Sequence, residues 1–122
     1  GFGVALLREQ GLETVIMTGE NAPSVQHRAD KLKIKRVFLA EANKLQRAEE
    51  LCEELGLSMS QLAFIGDDLN DVALLERVGF SATVPNSPIL DQLHTDMVTT
   101  RCGGQGAFRE FARVILAGQK AC

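Results

Sequence analysis

The chain has too few cysteines for a disulfide framework and too little charge imbalance to attract a polyelectrolyte. Its three cysteines, Cys52, Cys102 and Cys122, are odd in number and widely spaced, so neither paired bridges nor a zinc site is indicated. Cys52 falls in a helical apolar pattern and is expected in the core. A net charge of −3 argues against nonspecific nucleic-acid binding. The one basic cluster, Lys31, Lys33, Lys35 and Arg36, is short and reads as a solvated surface. No apolar run approaches the ~18 residues of a membrane span. The first residues show neither the charged region nor the cleavage site of a signal peptide. A reducing cytoplasm is therefore the expected location. His27 and His94 have no carboxylate or cysteine at metal-ligand spacing and read as solvated or structural. Repeats, linkers and low-complexity segments are missing, and 122 residues fit a single domain able to bury a sizeable core.

What is present is an alternation of helical and strand patterns. Gly3 to Gln10 reads as the end of a helix closed by Gly11. Glu13 to Met17 reads as a strand, Pro23 to Leu32 as a helix with proline in its first turn, and Arg36 to Leu39 as a second strand. Asn43 to Leu55 is amphipathic, with Leu45, Ala48, Leu51, Cys52 and Leu55 on one face and Gly56 ending it. Ser58 and Gln61 have capping-box spacing and read as a turn, because Leu62 to Ile65 opens a third strand. Val72 to Val78 follows as a helix, Phe80 to Val84 as a strand, Pro88 to Leu93 as a short helix, and Met97 and Val98 as a fifth strand. Gly106 to Leu116 closes the pattern as a helix, with Gln119 to Cys122 as a frayed tail. Strands separated by helices predict an α/β fold: a Rossmann-like three-layer sandwich with a parallel sheet.

The third strand ends in Gly66-Asp67-Asp68-Leu69-Asn70-Asp71, which sets three carboxylates within five residues. A hard cation such as Mg²⁺ takes one or two carboxylates plus a substrate phosphate. The alternative is an acidic helix start in which Asp68 and Asp71 complement the helix dipole. In a parallel sheet, ligands bind beyond the carboxyl ends of the strands. Thr18 and Gly19 follow the first strand, Glu41, Asn43 and Lys44 the second, and the aspartates the third, so all three groups share one edge. A hydroxyl and an ammonium can hold phosphate oxygens while carboxylates hold Mg²⁺, which suits phosphoryl transfer. Taken singly, Thr18 is also an ordinary turn residue and Lys44 an ordinary surface lysine. Arg28 reads equally as a surface ion pair or a ligand contact. Asp91 and Asp96 read as surface and turn residues.

In this order, Thr18-Gly19, Asn43-Lys44-Leu45 and Gly66 to Asp71 resemble motifs two, three and four of the haloacid dehalogenase (HAD) phosphatase superfamily. Gly103-Gly104-Gln105-Gly106-Ala107-Phe108-Arg109-Glu110 resembles the tail of its small capless branch, the phosphatases of 3-deoxy-D-manno-octulosonate 8-phosphate and of nonulosonate 9-phosphates. The likeness covers essentially the whole chain. It implies that Thr18 binds the transferring phosphoryl group and that Lys44 neutralises its charge. It also implies that Asp67 binds Mg²⁺, with Asp68 and Asp71 completing the metal shell or orienting Lys44. Gly19, Glu20 and Arg28 are then implied as substrate contacts. The implied assembly is a homotetramer whose tails reach neighbouring sites, acting on a small sugar acid phosphate without nucleic acid or membrane. Gly103, Gly104 and Gly106 read either as turns or as a backbone cradle for an anion.

Three departures qualify the resemblance. The family's first motif, Asp-x-Asp-Gly, with its nucleophilic aspartate, is not found, and Gly1-Phe2-Gly3 corresponds to a point after it. The expectation is a domain without its opening strand and hairpin, inactive as it stands, and with a core short of its central strand. Glu20 and Gln105 stand where the octulosonate branch has arginine, which favours a nonulosonate phosphate. Two other classes compete with the phosphatase: a non-catalytic oligomerisation domain, as in cytidylyltransferase fusions, and a receiver-like domain, which the Gly66 to Asp71 cluster fits poorly.

Overall fold

The structure is a computed structural model that describes residues 2–8, 11–102 and 105–121. Strands β1 (Phe2–Arg8) and β2 (Gly11–Met17) precede helix α1 (Pro23–Lys31) and strand β3 (Arg36–Phe38). Helix α2 (Lys44–Leu55) leads through a 3₁₀ turn at Met59–Gln61 into β4 (Leu62–Ile65). A second 3₁₀ turn, Leu69–Asp71, runs into α3 (Val72–Leu75), followed by β5 (Phe80–Thr83). A third, Pro88–Asp91, precedes β6 (Met97–Val98) and α4 (Gln105–Ala121). The strand order is β3-β2-β1-β4-β5-β6.

The α/β expectation holds, and the pairs β2–β3, β4–β5 and β5–β6 are parallel. The chain steps outward from β2 to β3 and then back across the sheet to β4. Right-handed crossovers therefore place α1 on one face and α2 with α3 on the other. This gives the three layers. Helix α4 packs on β1 and β4, and its buried Phe111 stacks on Phe80 with ring centroids 6.0 Å apart.

The opening element overturns an expectation. The helix expected from Gly3 is not observed: Phe2–Arg8 is a strand, antiparallel to both β2 and β4, with Phe2 opposite Met17 and Val4 opposite both Val15 and Phe64. Positions 9 and 10 lie outside the described residues. The run from Phe2 to Leu7 is apolar at nearly every position, so periodicity cannot separate buried helix from buried strand. The decision is made by β2 and β4. Without a partner between them, each would carry a row of unpaired backbone groups in the middle of the sheet. The gap expected at the sheet centre is thus occupied by β1, and the sheet is continuous.

Local chemistry explains the elements that carry the site. Asn43 caps α2 by accepting the Gln46 N–H at 3.1 Å, and Gly56 closes the helix at φ +69°. The predicted apolar face is observed: Ala48, Leu51 and Cys52 are buried, and Leu45 and Leu55 pack against them. The helix after β4 begins at Val72 as predicted, after a 3₁₀ turn boxed by Asp68 and Asp71, and ends at Leu75, three residues earlier than predicted. At the far end, α4 runs on to Ala121 through the segment expected to fray. No helix among the described residues is long and apolar enough to cross a membrane.

Candidate active site

The cleft lies at the edge where β2 and β4 end. Thr18, the first residue after β2, is almost wholly buried. Its N–H donates to the Phe38 carbonyl at 3.0 Å, and its carbonyl accepts from the Glu41 N–H at 2.8 Å. Both of its peptide groups are therefore held by the chain leaving β3. The Thr18 hydroxyl oxygen accepts from the Glu20 N–H at 3.1 Å, a bond that does not use the hydroxyl proton. The Glu20 carbonyl accepts from the Ala40 N–H at 2.8 Å, which ties the two loops together once more.

Lys44 opens α2 and is only 4% exposed. Its Nζ donates to Asp71 Oδ1 at 2.5 Å and lies 5.9 Å from the centroid of the Phe64 ring. A buried ammonium at a helix N-terminus opposes the helix dipole, so the Asp71 carboxylate is what makes the position tenable. Asp71 is 1% exposed, and its Oδ2 accepts the N–H groups of Asp67 and Asp68, each at 3.0 Å. Glycine at position 66 is required by close approach. A Cβ there would lie 2.7 Å from the Asp71 carboxylate carbon.

Asp67, Asp68 and Asp71 can each present an oxygen within 4.8 Å of the others. The Asp67 carboxyl is raised above its ordinary value, first by burial and then by the neighbouring Asp68 and Asp71 charges, with Lys44 pulling the other way. Oxygen donors that disfavour their own ionisation when crowded together fit a hard divalent cation. Asp71 is already engaged on both oxygens, which leaves Asp67 and Asp68 as the carboxylates best able to hold one. The cleft carries Glu20 and the three aspartates against the single Lys44 ammonium. An anionic substrate entering it therefore meets net negative charge unless a cation is bound.

Of the residues singled out from sequence, Thr18, Gly19, Glu20, Lys44, Asp67, Asp68 and Asp71 come together in this cleft. Arg28 does not: it is exposed on α1, outside the cleft lining. The anion cradle considered at Gly103 and Gly104 lies outside the described residues. Two further residues belong to the site. Asn70 lines it opposite Gly19, where a Cβ would lie 3.5 Å from Asn70 Nδ2. Ser87, after β5, donates its hydroxyl to the Asp67 carbonyl at 3.0 Å. Asn70 was visible within the acidic motif, whereas Ser87 announces only a turn in sequence.

A family model of haloacid dehalogenase-like hydrolases matches residues 36–106, which include Lys44 and the whole acidic loop. The chain belongs to that family. It is 34% identical over 119 residues to the 3-deoxy-D-manno-octulosonate 8-phosphate phosphatase KdsC of Escherichia coli K12, covering 98% of this chain and 63% of that protein. The Haemophilus influenzae KdsC is 32% identical over 119 residues, with 98% and 66% covered. The chain thus spans a little under two thirds of the curated relatives it matches. Among solved structures, the cobalt-bound octulosonate phosphatase of H. influenzae superposes with a TM-score of 0.79 at 33% identity, over 87% of this chain and 62% of that one. The Moraxella catarrhalis enzyme, in complex with magnesium, phosphate and KDO, gives 0.79 at 28% identity, over 93% and 77%. Membership of the HAD hydrolases accounts for the α/β sandwich and for motifs two to four at one edge.

Proposed function

We propose that this chain is the metal- and phosphate-binding part of a Mg²⁺-dependent phosphatase acting on phosphate monoesters of 3-deoxy-2-keto sugar acids. One observation carries the reading: a buried Lys44–Asp71 pair sits beside Asp67 and Asp68 and shares a cleft with the Thr18 hydroxyl. The E. coli relative named for octulosonate 8-phosphate and the magnesium, phosphate and KDO complex of the M. catarrhalis enzyme support the substrate class and the ion.

In this reading Asp67 and Asp68 hold Mg²⁺, and Asp71 orients Lys44. Bound there, the ion neutralises charge on the transferring phosphoryl oxygens. Thr18 donates its hydroxyl proton to a phosphoryl oxygen, and Lys44 places a fixed positive charge beside it. The family resemblance assigns the nucleophile to an aspartate of an Asp-x-Asp-Gly strand outside this sequence, which agrees with giving Asp67 and Asp68 to the metal and Asp71 to Lys44. That carboxylate forms a bond to phosphorus as the ester P–O bond breaks. The leaving sugar oxygen takes a proton from a second carboxylic acid, and water then cleaves the aspartyl-phosphate to release inorganic phosphate. Glu20 at the lip repels a substrate carboxylate and accepts hydrogen bonds from hydroxyls, which favours a nonulosonate 9-phosphate over the octulosonate. Arg28 contacts substrate only if the sugar extends beyond the cleft. A cytoplasmic homotetramer completes the proposal, and light scattering tests the assembly.

The deciding experiment measures Mg²⁺-dependent phosphate release from octulosonate 8-phosphate and a nonulosonate 9-phosphate. This chain is run beside the same chain extended upstream to include an Asp-x-Asp-Gly strand. Activity in the extended form alone is expected. Activity in neither sinks the phosphatase reading, and activity in the short form sinks the assignment of the nucleophile. A preference for the octulosonate sinks the role given to Glu20.

A further inference from the structure

We infer that Ser87 is a positioning residue for the cation site, acting through the Asp67 backbone. The inference rests on the metal reading above. Strand β4 ends at Ile65, and Gly66 still donates its N–H to the Ala82 carbonyl at 3.1 Å. Beyond that point Asp67 has left the sheet. Its peptide groups are then held at two places. Its N–H is bound by Asp71 Oδ2 at 3.0 Å, and its carbonyl accepts the Ser87 hydroxyl at 3.0 Å.

Ser87 is itself fixed from the core side. It is 7% exposed, its N–H donates to the Val84 carbonyl at 3.2 Å, and its hydroxyl oxygen accepts the Ile89 N–H at 3.2 Å. Ile89 is fully buried. The hydroxyl is therefore held in place by buried structure, with its proton directed at the Asp67 carbonyl. Loss of that bond leaves the peptide between Asp67 and Asp68 held only through the Asp68 N–H on Asp71 Oδ2, so it can tilt about that one contact and carry both carboxylates with it. Asp71 compensates only in part, because it restrains the N–H side of that peptide and not the carbonyl. Outer groups that orient metal ligands commonly matter to affinity, and here the orientation passes through the backbone.

A purely structural role is the competing account, since Ser87 also caps the turn at Pro88–Asp91. Calorimetric titration of Mg²⁺ into the chain separates the two. Ser87→Ala is expected to weaken Mg²⁺ binding about fivefold, the effect of one hydrogen bond. Ser87→Thr and Ser87→Val have the same shape and differ only in the hydroxyl, and the threonine variant is expected to bind about fivefold more tightly than the valine variant. Thr95→Val removes a 2.7 Å bond to the Met97 carbonyl away from the cleft and serves as a stability control. It is expected to lower the melting temperature and leave Mg²⁺ affinity unchanged. Equal affinity in Ser87→Val and Ser87→Thr overturns the inference, as does an equal loss in Thr95→Val. Failure of the unmodified chain to bind Mg²⁺ overturns the metal reading along with it, so the two failures are distinguishable.

Discussion

Lys44 Nζ and Asp71 Oδ1 stand 2.5 Å apart across 27 residues of sequence, both almost wholly excluded from solvent. This pair joins the start of α2 to the acidic loop after β4. Because each charge is buried, removing one partner leaves the other uncompensated. Lys44→Met is expected to destabilise the fold by about 3–5 kcal/mol in urea unfolding. Lys44→Met combined with Asp71→Leu should recover part of that loss, and the double-mutant cycle measures the coupling. A loss in the double variant equal to the sum of the losses in Lys44→Met and Asp71→Leu would show that the pair is not coupled.

Gly66 faces the same carboxylate. A methyl group there would lie 2.7 Å from Asp71 and force it away from Lys44 and the Asp67 and Asp68 N–H groups. Gly66→Ala is expected to cost about 1–3 kcal/mol and to weaken Mg²⁺ binding at the same time. Chemical denaturation and calorimetry read the two effects on one sample.

The raised Asp67 carboxyl has a definite sign. Its folded value lies above the unfolded one, because burial and the charges of Asp68 and Asp71 disfavour ionisation. Ionised Asp67 is thus a destabilising feature above its folded value. The penalty is relieved as pH falls from that value towards the ordinary carboxylate range. Asp67→Asn should raise the metal-free melting temperature at neutral pH. At Mg²⁺ a hundredfold above Kd the unmodified chain should gain about 2.7 kcal/mol, and the Asn variant nothing. Thermal denaturation with and without Mg²⁺ checks both halves.

Glu110 behaves in the opposite sense. Its carboxylate accepts the Thr100 N–H at 2.8 Å, the Thr100 hydroxyl and the Arg101 N–H, and these bonds hold its carboxyl below the ordinary value. The tie between α4 and the loop after β6 is therefore present above the unfolded value and is lost as pH falls through the folded one. Glu110→Gln should melt below the unmodified chain at pH 7, with the difference closing on acidification. A gap that does not narrow on acidification would refute the assignment.

Ala40 sits at φ +53°, a left-handed conformation that costs a Cβ-bearing residue roughly 1–2 kcal/mol. It is held there because its N–H reaches the Glu20 carbonyl and the next N–H reaches Thr18. Ala40→Gly removes the steric cost and adds a chain-entropy cost of about 0.5–1 kcal/mol. A net gain of up to about 1 kcal/mol in unfolding free energy is expected, with Mg²⁺ affinity unchanged.

Much of the site was legible because its residues lie where local patterns change. Thr18, Lys44 and Asp67 each follow the end of a strand, and the amphipathic face of α2 and its caps are matters of spacing within one element. The antiparallel β1 was not legible. An apolar run without periodicity is compatible with either helix or strand, and only unpaired edges on β2 and β4 choose between them. Arg28 stands outside the cleft lining because it lies on the exposed side of α1, which its position in the sequence does not reveal.

The order of residues by itself determined the α/β class, the edge at which chemistry gathers, and the set of groups there: a hydroxyl, an ammonium and an acidic cluster. Those follow from periodicity and from short-range steric and capping rules. Only the tertiary structure decided where each aspartate lies and what it bonds. Asp71 is drawn inward to Lys44 and two backbone N–H groups, while Asp67 and Asp68 remain at the cleft and Ser87 braces the Asp67 carbonyl. Burial and hydrogen bonding between distant segments set these contacts, and no spacing along the chain encodes them.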